Sequence, residues 1–456
     1  MTNVARHPAS FKDPAGFIFE ANGKIYRQVN KVYGQQYQHL MESGLYNQLI
    51  SGNQLIPHST INENLTGEEE WLLTLIPEQL SFISYPYEWC FDQLKDAALL
   101  TLSVLRTSLD KGMILKDATP FNIQFVNGKP LLIDTLSFDR YDETMPWVAY
   151  RQFCESFLFP LYLEHYLKID CIKWLSNYIH GIPVDVTAKL LPWRSKWNLG
   201  VRLHVMLQNN VRIRKTTQKV QPAFSKQKLL NLITHLESII RNLSSGYPSI
   251  STWSNYYDET ILGKEYLDRK EIILKKFLGT ISYTSVLDLG ANDGYFSRLL
   301  AKDNKSVLAV DSDSRCINNL YQLIKREPLT GIIPLIIDLS NPSPAIGFNN
   351  TERSSFGQRA KADLALALAL IHHLVIGKNI SLPELAGYFA KMAPQLIIEF
   401  VPKEDEKVKQ LLSERADIFS TYDAASFETN FSRYYTILAK ELIPGTTRTL
   451  YCLARK

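Results

Sequence analysis

The stretch that decides the fold is Val286-Leu-Asp-Leu-Gly-Ala-Asn-Asp-Gly-Tyr-Phe296. An apolar run typical of a buried strand carries Asp288 directly before a turn that contains Gly290 and Gly294, and a helical pattern begins at Tyr295. Glycine lets the backbone approach a ligand closely and adopt angles that other residues avoid. The N–H groups at the start of a helix favour polar ligand groups. The stretch therefore predicts a strand–turn–helix unit with a ligand site at its turn.

Apolar strands and amphipathic helices alternate on both sides of this unit, which is typical of a parallel sheet covered on both faces. We predict an α/β, Rossmann-like sheet of seven strands over residues 255–456, with an antiparallel hairpin at its C-terminal end. The predicted helices cover about 262–278, 295–302, 314–326 and 383–392, with another from 403. The predicted strands are Val286–Leu289, Ser306–Val310, Ile332–Ile337, Leu364–Ala369, Gln395–Phe400, Tyr434–Leu442 and Thr449–Ala454.

Carboxylates stand at the ends of the first three predicted strands. Asp311 ends the second strand, 23 residues after Asp288, and Asp338 ends the third. Open α/β sheets bind ligands at the carboxyl ends of their strands, and a carboxylate at the second strand can accept both hydroxyls of a ribose. The glycine spacing of NAD-binding folds is absent, because residues 290–295 read GANDGY.

The pattern D-x-G-x-x-x-G resembles the cofactor motif of the class I S-adenosylmethionine-dependent methyltransferases, with Asn292 where a middle glycine is common. The chain is also similar to two-domain bacterial proteins of this type, including nodulation-type methyltransferases. The resemblance implies S-adenosylmethionine as cofactor and the terminal antiparallel strand pair. It also implies a binding role for six residues: Asp288, Gly290, Asn292 and Gly294 near the methionine end, Asp311 on the ribose and Asp338 beside the adenine amino group.

Candidate acceptor-side residues follow the fourth and fifth strands. His372 or His373 is a candidate general base for a hydroxyl or amine acceptor, and the alternative is a packing or cofactor-lining role. Glu399 could orient a histidine or bind the acceptor, and a buried structural carboxylate is equally compatible. These three residues lack the spacing of a metal site, so no metal is predicted. The N-PP-Y motif of many amino-group methyltransferases is absent, which favours a hydroxyl acceptor.

The first 185 residues are predicted to form a separate α+β domain. The pattern indicates a hairpin around Asn22-Gly23, a helix from about 35 to 51, strands at Trp71–Ile76 and Leu80–Ser84, and a helix from Phe91 to Asp110.

Within this domain, Asp117 and Asn122 have the D-x-x-x-x-N spacing of a kinase catalytic loop, and Asp134 follows after a strand–turn–strand. The region 90–180 resembles the core of the kinase C-lobe. No glycine-rich phosphate loop precedes it, and Arg27, with Glu42 as a possible partner, is the nearest substitute for the kinase lysine. We therefore expect a pseudokinase-like domain that recognises the acceptor. A working kinase, which would make the chain bifunctional, and an unrelated helical domain are the alternatives.

Residues 186–254 are predicted to be a basic helical connector. Between Val186 and Leu236 there are ten Lys and Arg residues and no Asp or Glu. The segment is either a solvated connector or a surface for an anionic substrate, a nucleic acid or an acidic partner. If the segment binds nucleic acid, the chain would be an RNA methyltransferase. A second long segment, Gly347–Lys361 with Arg353 and Arg359, is a candidate substrate lid.

Composition sets further limits. The five cysteines are scattered without a CxxC pair, which argues against a disulfide framework and a zinc site. The chain shows no secretory signal, and its most apolar run, Leu364–Ile376, is too short to span a bilayer. We expect a cytoplasmic enzyme that methylates a small molecule, sugar or glycoconjugate.

Overall fold

The computed structural model describes residues 4–213, 224–247, 264–303, 305–327, 329–413 and 415–456. The chain divides into two compact units. Unit 1 comprises Met1–Tyr247 together with Ala345–Ser354, and unit 2 comprises Pro248–Pro344 together with Ser355–Lys456. The segment Ala345–Ser354, called here the returning segment, therefore interrupts unit 2 in sequence and belongs to unit 1.

Unit 1 begins with a five-stranded antiparallel sheet of order β1-β2-β3-β5-β4, and two small two-stranded sheets, β6-β9 and β7-β8, follow it. Asn22 and Gly23, at φ of 51° and 72°, form the predicted tight turn between β2 and β3. The strands are β1 Val4–Arg6, β2 Gly16–Ala21, β3 Lys24–Asn30, β4 His58–Ile61, β5 Trp71–Pro77, β6 Met113–Leu115, β7 Ile123–Val126, β8 Lys129–Leu132 and β9 Phe138–Arg140.

Helices make up most of the remainder of unit 1. Short π-helical turns, Cys154–Leu158 and Arg202–Met206, join α4 to α5 and α7 to α8. The helices are α1 Gly34–Glu42, α2 Leu45–Ser51, α3 Phe91–Asp110, α4 Tyr150–Phe153, α5 Phe159–Leu167, α6 Val184–Leu190, α7 Leu199–Val201, α8 Leu207–Ile213 and α9 Lys226–Asn242.

The predicted connector is not a separate piece where the structure describes it. Residues 186–213 and 224–247 belong to unit 1. In α9, Leu229, Ile233, Leu236 and Ile240 recur every three or four residues and are fully buried, and the helix packs against α3. The expectation of a solvated connector missed this apolar stripe. Residues 214–223 and 248–254 of the predicted connector lie outside the described residues.

Unit 2 contains a seven-stranded sheet within its described residues, of order β12-β11-β10-β13-β14-β16-β15. The strands are β10 Ser285–Leu289, β11 Ser306–Asp311, β12 Ile332–Ile336, β13 Leu364–Ala367, β14 Gln395–Phe400, β15 Tyr435–Leu442 and β16 Thr449–Arg455. The five strands β10–β14 run parallel to one another. Strand β16 pairs antiparallel with β14, and β15 pairs antiparallel with β16. The predicted seven-stranded, Rossmann-like sheet with its C-terminal antiparallel hairpin is confirmed.

Helices surround this sheet because its parallel strands are mainly apolar and largely buried, so both faces must be covered. In α12, for example, the Asp313 side chain caps the first turn, and Ile317, Leu320 and Ile324 are buried. Residues 262 and 263 of the predicted first helix lie outside the described residues. The helices are α10 Lys264–Leu278, α11 Tyr295–Leu300, α12 Ser314–Arg326, α13 Phe356–Arg359, α14 Leu382–Met392, α15 Glu406–Ser413 and α16 Ala424–Phe431.

Candidate active site

The turn after β10 adopts left-handed backbone angles at three positions. Gly290, Asn292 and Gly294 have φ of 78°, 52° and 79°. A Cβ on Gly294 would lie 2.4 Å from the Leu320 side chain, so this position requires glycine. Asparagine tolerates the left-handed region better than most residues, which explains how Asn292 can occupy a position where glycine is common.

Asp311, the last residue of β11, is held against this turn. Its carboxylate accepts hydrogen bonds of 2.9 Å from the backbone N–H groups of Asn292 and Asp313. Burial raises the pKa of Asp311, and these N–H donors act in the opposite direction because they favour the ionised form. The carboxylate is therefore fixed in orientation at the strand tip.

Asp288 lies behind the turn. Only 3% of it is exposed, and the Ser297 hydroxyl donates to its carboxylate at 2.5 Å. Burial raises the pKa of Asp288 to about 6. Asp288 thus connects β10 to α11 from inside unit 2 and supports the turn.

A cavity of about 380 Å³ opens at the carboxyl ends of the central parallel strands. This volume is within the range of small-molecule sites. Five predicted site residues line it: Gly290, Asn292, Asp311, Asp338 and His373. Its other lining residues are Ser312, Ile337, Leu339, Leu368, Ala369, Leu370, Leu374, Gly377, Lys378 and Leu411. Asp288, Gly294, His372 and Glu399 are not part of its lining.

Asp338, just beyond β12, is positioned by its own loop. The backbone N–H and hydroxyl of Ser340 donate to one carboxylate oxygen at 2.8 and 2.6 Å, and the Lys378 ammonium lies 3.9 Å from the other. The carboxylate borders the cavity on the β12 side of Asp311.

Ala369 is a lining residue that the sequence reasoning missed. It follows β13 and has φ of 50°, a left-handed conformation that costs alanine free energy. This bend precedes Leu370, whose side chain lies against Gly290. An alanine in an apolar run carries no sequence signal for such a backbone.

The two adjacent histidines have different environments. His373 is partly buried and lines the cavity, and burial lowers its pKa to about 4. His372 is fully buried, and neither of its ring nitrogens has a hydrogen-bond partner among the described residues. Burial also lowers the pKa of His372 well below its usual value. Both imidazoles are therefore neutral at pH 7, and only His373 faces the cavity.

Glu399 lies in a buried ion cluster and not on the cavity. Its carboxylate contacts the Lys270 ammonium at 2.5 Å and Arg448 at 3.4 Å, and accepts a hydrogen bond of 2.6 Å from the Tyr266 hydroxyl. Burial alone would raise the pKa of Glu399, but Lys270 and Arg448 outweigh it and lower the pKa. These contacts are the ones expected of a buried structural carboxylate, the alternative role predicted for Glu399.

In unit 1 the structure brings Asp117, Asn122 and Asp134 together. The Asn122 amide donates to Asp117 at 3.0 Å and to Asp134 at 3.4 Å. Arg27 forms an ion pair with Asp134, and although burial favours the protonated form, this guanidinium holds the pKa of Asp134 below its usual value. The suggested partner of Arg27, Glu42, instead accepts a hydrogen bond from Gln38.

The predicted lid, Gly347–Lys361, is divided between the two units. Its first part belongs to the returning segment, where the Arg353 guanidinium lies 4.5 Å from the centre of the Phe121 ring. The Ser354 N–H donates to the Tyr85 hydroxyl at 3.0 Å. Arg359 ends the short helix α13 in unit 2. The segment up to Ser354 is therefore a packed part of unit 1. It does not form the free lid that the sequence suggested.

No family model matches the chain. Over 461 residues it is 32% identical to nodulation protein NoeA of Rhizobium meliloti (strain 1021), an alignment that covers 99% of this chain and 96% of that protein. The chain belongs to the NoeA family.

Solved structures were also compared with this NoeA-family chain. N-methyltransferase NodS from Bradyrhizobium japonicum WM9, in complex with S-adenosyl-L-homocysteine, is 14% identical, and the match covers 45% of this chain and 93% of NodS at a TM-score of 0.33. The bifunctional kinase-methyltransferase WbdD is 18% identical, and the match covers 42% of this chain and 38% of WbdD at a TM-score of 0.29.

Two further observations concern metals and membranes. The described residues contain no group of three or more His, Cys, Asp or Glu side chains placed to hold a metal ion. Within the same ranges, no helix combines the length and the apolar character needed to cross a bilayer.

Proposed function

We propose that this NoeA-family chain is an S-adenosylmethionine-dependent methyltransferase that acts on a hydroxyl group of a small molecule, sugar or glycoconjugate. One observation carries the proposal. Side chains from the tips of four adjacent parallel strands, including Asp311, Asp338 and His373, border a single cavity next to a left-handed turn.

The lining fits an adenosyl compound in charge and size. Asp311 can accept the two ribose hydroxyls, and Asp338 can accept the adenine amino group. Gly290 and Asn292 line the cavity, and because Gly290 has no side chain a ligand can approach its backbone closely. Apolar side chains such as Ile337 and Leu339 provide faces for an adenine ring. When bound, S-adenosylmethionine supplies an activated methyl group on its sulfonium.

His373 is the proposed general base. It lines the cavity, whereas His372 does not, and its imidazole is neutral at pH 7 because burial lowers its pKa to about 4. A neutral ring nitrogen can accept the proton of an acceptor hydroxyl and orient its oxygen for in-line attack. Glu399 has no direct part in this proposal, since its carboxylate is occupied by Lys270, Arg448 and Tyr266.

For unit 1 we propose acceptor recognition by a kinase-like domain without phosphoryl transfer. The juxtaposition of Asp117, Asn122 and Asp134 supports the kinase-like arrangement. The cluster does not fit a magnesium ion as it stands, because Arg27 and the Ser137 hydroxyl occupy the Asp134 carboxylate that would hold the metal.

The test combines binding with transfer. Calorimetry with S-adenosyl-L-homocysteine should show micromolar binding, and radiolabelled methyl transfer should be seen to hydroxyl-bearing oligosaccharides in an acceptor panel. The panel includes structured RNA, which tests the RNA methyltransferase. A separate assay with radiolabelled ATP and magnesium follows phosphoryl transfer to the same oligosaccharides and tests the bifunctional kinase. Failure to bind the cofactor product would overturn the proposal, and transfer to RNA alone would replace its acceptor class.

A further inference from the structure

Large exposed apolar side chains concentrate in one stretch of unit 1. Of the nineteen among the described residues, six lie between positions 190 and 207, far more than an even distribution would place there. Two are tryptophans, which are rarely left in water. They are Leu190, Trp193, Trp197, Leu199, Leu203 and Leu207, and their exposed fractions are 40%, 66%, 79%, 60%, 40% and 55%.

The stretch is an ordered surface with a buried inner side. Leu199, Leu203 and Leu207 recur every four residues and form one outer stripe of the helix that runs from α7 through its π-helical turn into α8. Val201 and Val205, on the opposite side, are fully buried. The inner side therefore supplies the packing that fixes the helix, and the outer stripe is apolar without contributing to that packing.

Positive charges flank the exposed apolar side chains. Arg194, Lys196 and Arg202 are exposed, and none forms an ion pair with a described residue. Acidic residues are absent from Val186 to Leu236. The outer surface of residues 193–207, called here the Trp–Leu–Arg face, thus combines tryptophan, leucine and uncompensated cations.

We propose that the Trp–Leu–Arg face binds the surface of an anionic phospholipid bilayer. Interfacial segments have this composition, because tryptophan and leucine enter the headgroup region while lysine and arginine remain beside lipid phosphates. Three aliphatic leucines favour lipid over nucleic acid, which would use aromatic rings and cations but no aliphatic stripe. The proposed contact is with the headgroup region at the bilayer surface.

Vesicle co-sedimentation of the full-length protein tests this proposal. Vesicles of phosphatidylcholine with about 30% phosphatidylglycerol should bind the protein, vesicles of phosphatidylcholine alone should bind it weakly, and 0.5 M NaCl should release much of it, since surface charges are then screened. The double variant Trp193→Ser/Trp197→Ser should lower the partition coefficient about tenfold or more. The triple variant Arg194→Gln/Lys196→Gln/Arg202→Gln should remove the preference for the anionic vesicles.

A matched control uses Ile272, which is 67% exposed in unit 2. Ile272→Ser should leave vesicle binding unchanged, and circular dichroism should show all variants folded. Equal binding of the tryptophan variant and the wild type would refute the proposal. Absence of vesicle binding would also refute it. If the wild type then showed salt-sensitive RNA binding or self-association, and Trp193→Ser/Trp197→Ser abolished it, the occupant of the face would be nucleic acid or a second copy of this chain. S-adenosyl-L-homocysteine affinity is independent of each of these outcomes.

Discussion

The backbone N–H of Asn292 donates a hydrogen bond of 2.9 Å to the Asp311 carboxylate. This bond joins the turn after β10 to the tip of β11. It therefore positions the proposed methionine and ribose subsites relative to each other. Because the backbone and not the side chain of Asn292 makes the contact, asparagine can serve at this position as glycine would.

Replacing Asp311 by alanine should weaken binding of S-adenosyl-L-homocysteine by about 1.5–3 kcal/mol, the scale of hydrogen bonds to a charged group. Calorimetry measures this directly. Asp293→Ala is the matched control, since Asp293 is an exposed carboxylate in the same turn that does not line the cavity. Unchanged affinity in Asp311→Ala, or an equal loss in Asp293→Ala, would remove Asp311 from the cofactor site.

His373→Ala should lower kcat by about 10²–10⁴ while leaving S-adenosyl-L-homocysteine affinity nearly intact, because a general base acts on the acceptor. His372→Leu should retain turnover and stability. His372 is buried without a described hydrogen-bond partner, so an apolar side chain of similar size replaces it at little cost. Single-turnover methyl transfer measures both variants. Equal loss of turnover in the two, or full activity in His373→Ala, would contradict the assignment.

Glu399→Gln should destabilise the folded protein by about 3–5 kcal/mol, because it leaves the buried Lys270 ammonium without its counter-charge. Arg448 keeps a second partner, Asp405, at 2.7 Å. The double variant Lys270→Met/Glu399→Gln should therefore recover much of the loss in urea unfolding. If the two substitutions instead add, the pair is not coupled. Loss of turnover at unchanged stability in Glu399→Gln would assign Glu399 to the chemistry.

Asp288 should make the free energy of unfolding depend on pH. Burial raises its pKa to about 6 in the folded state, from its ordinary value of 3.8. Between these pH values the folded state binds more protons than the unfolded state, so this residue's contribution to stability falls as pH rises and is lowest above pH 6. The shift corresponds to about 3 kcal/mol.

Asp288→Asn removes this titration. Relative to wild type, its free energy of unfolding should therefore increase from pH 4 to pH 6 and then stay constant, as urea unfolding across pH 4–8 can show. Glu143→Gln is the control, since Glu143 is an exposed carboxylate in unit 1. A difference between Asp288→Asn and wild type that does not vary with pH would contradict the prediction.

Unit 2 could be predicted from sequence because its signals are local. Each parallel strand is a short, mainly apolar run. Asp311 ends the second strand and Asp338 lies two residues beyond the third, so the sequence indicated the strand ends and the ligand-binding edge together. Even the antiparallel pair β15 and β16 was visible as two apolar runs around Pro444-Gly445.

The predictions for unit 1 failed where a segment is polar or is interrupted by glycine. The predicted helix over 35–51 is two helices, because Gly44 adopts φ of 75° between α1 and α2. The predicted strand Leu80–Ser84 is irregular. Strand β4 was missed because His58-Ser-Thr-Ile61 is largely polar, and among the described strands it pairs with β5 alone.

The ion cluster around Glu399 was invisible for a different reason. Lys270 and Arg448, which neutralise the carboxylate, lie 129 and 49 residues away in sequence and on separate elements. Only the tertiary structure shows that a carboxylate at the end of a strand is buried among cations. The sequence position of Glu399 alone indicated a site at the sheet edge.

The returning segment limits how the two halves of this protein can be separated. A polypeptide that stops at Tyr247 would lack Ala345–Ser354, and with it the partners of the Phe121 ring, the Tyr85 hydroxyl and the Lys12 ammonium. An isolated unit 2 would carry those ten residues without the unit 1 side chains on which they pack. No single break in the polypeptide therefore leaves both units intact, and a two-fragment version of the protein would need the returning segment supplied to unit 1 separately.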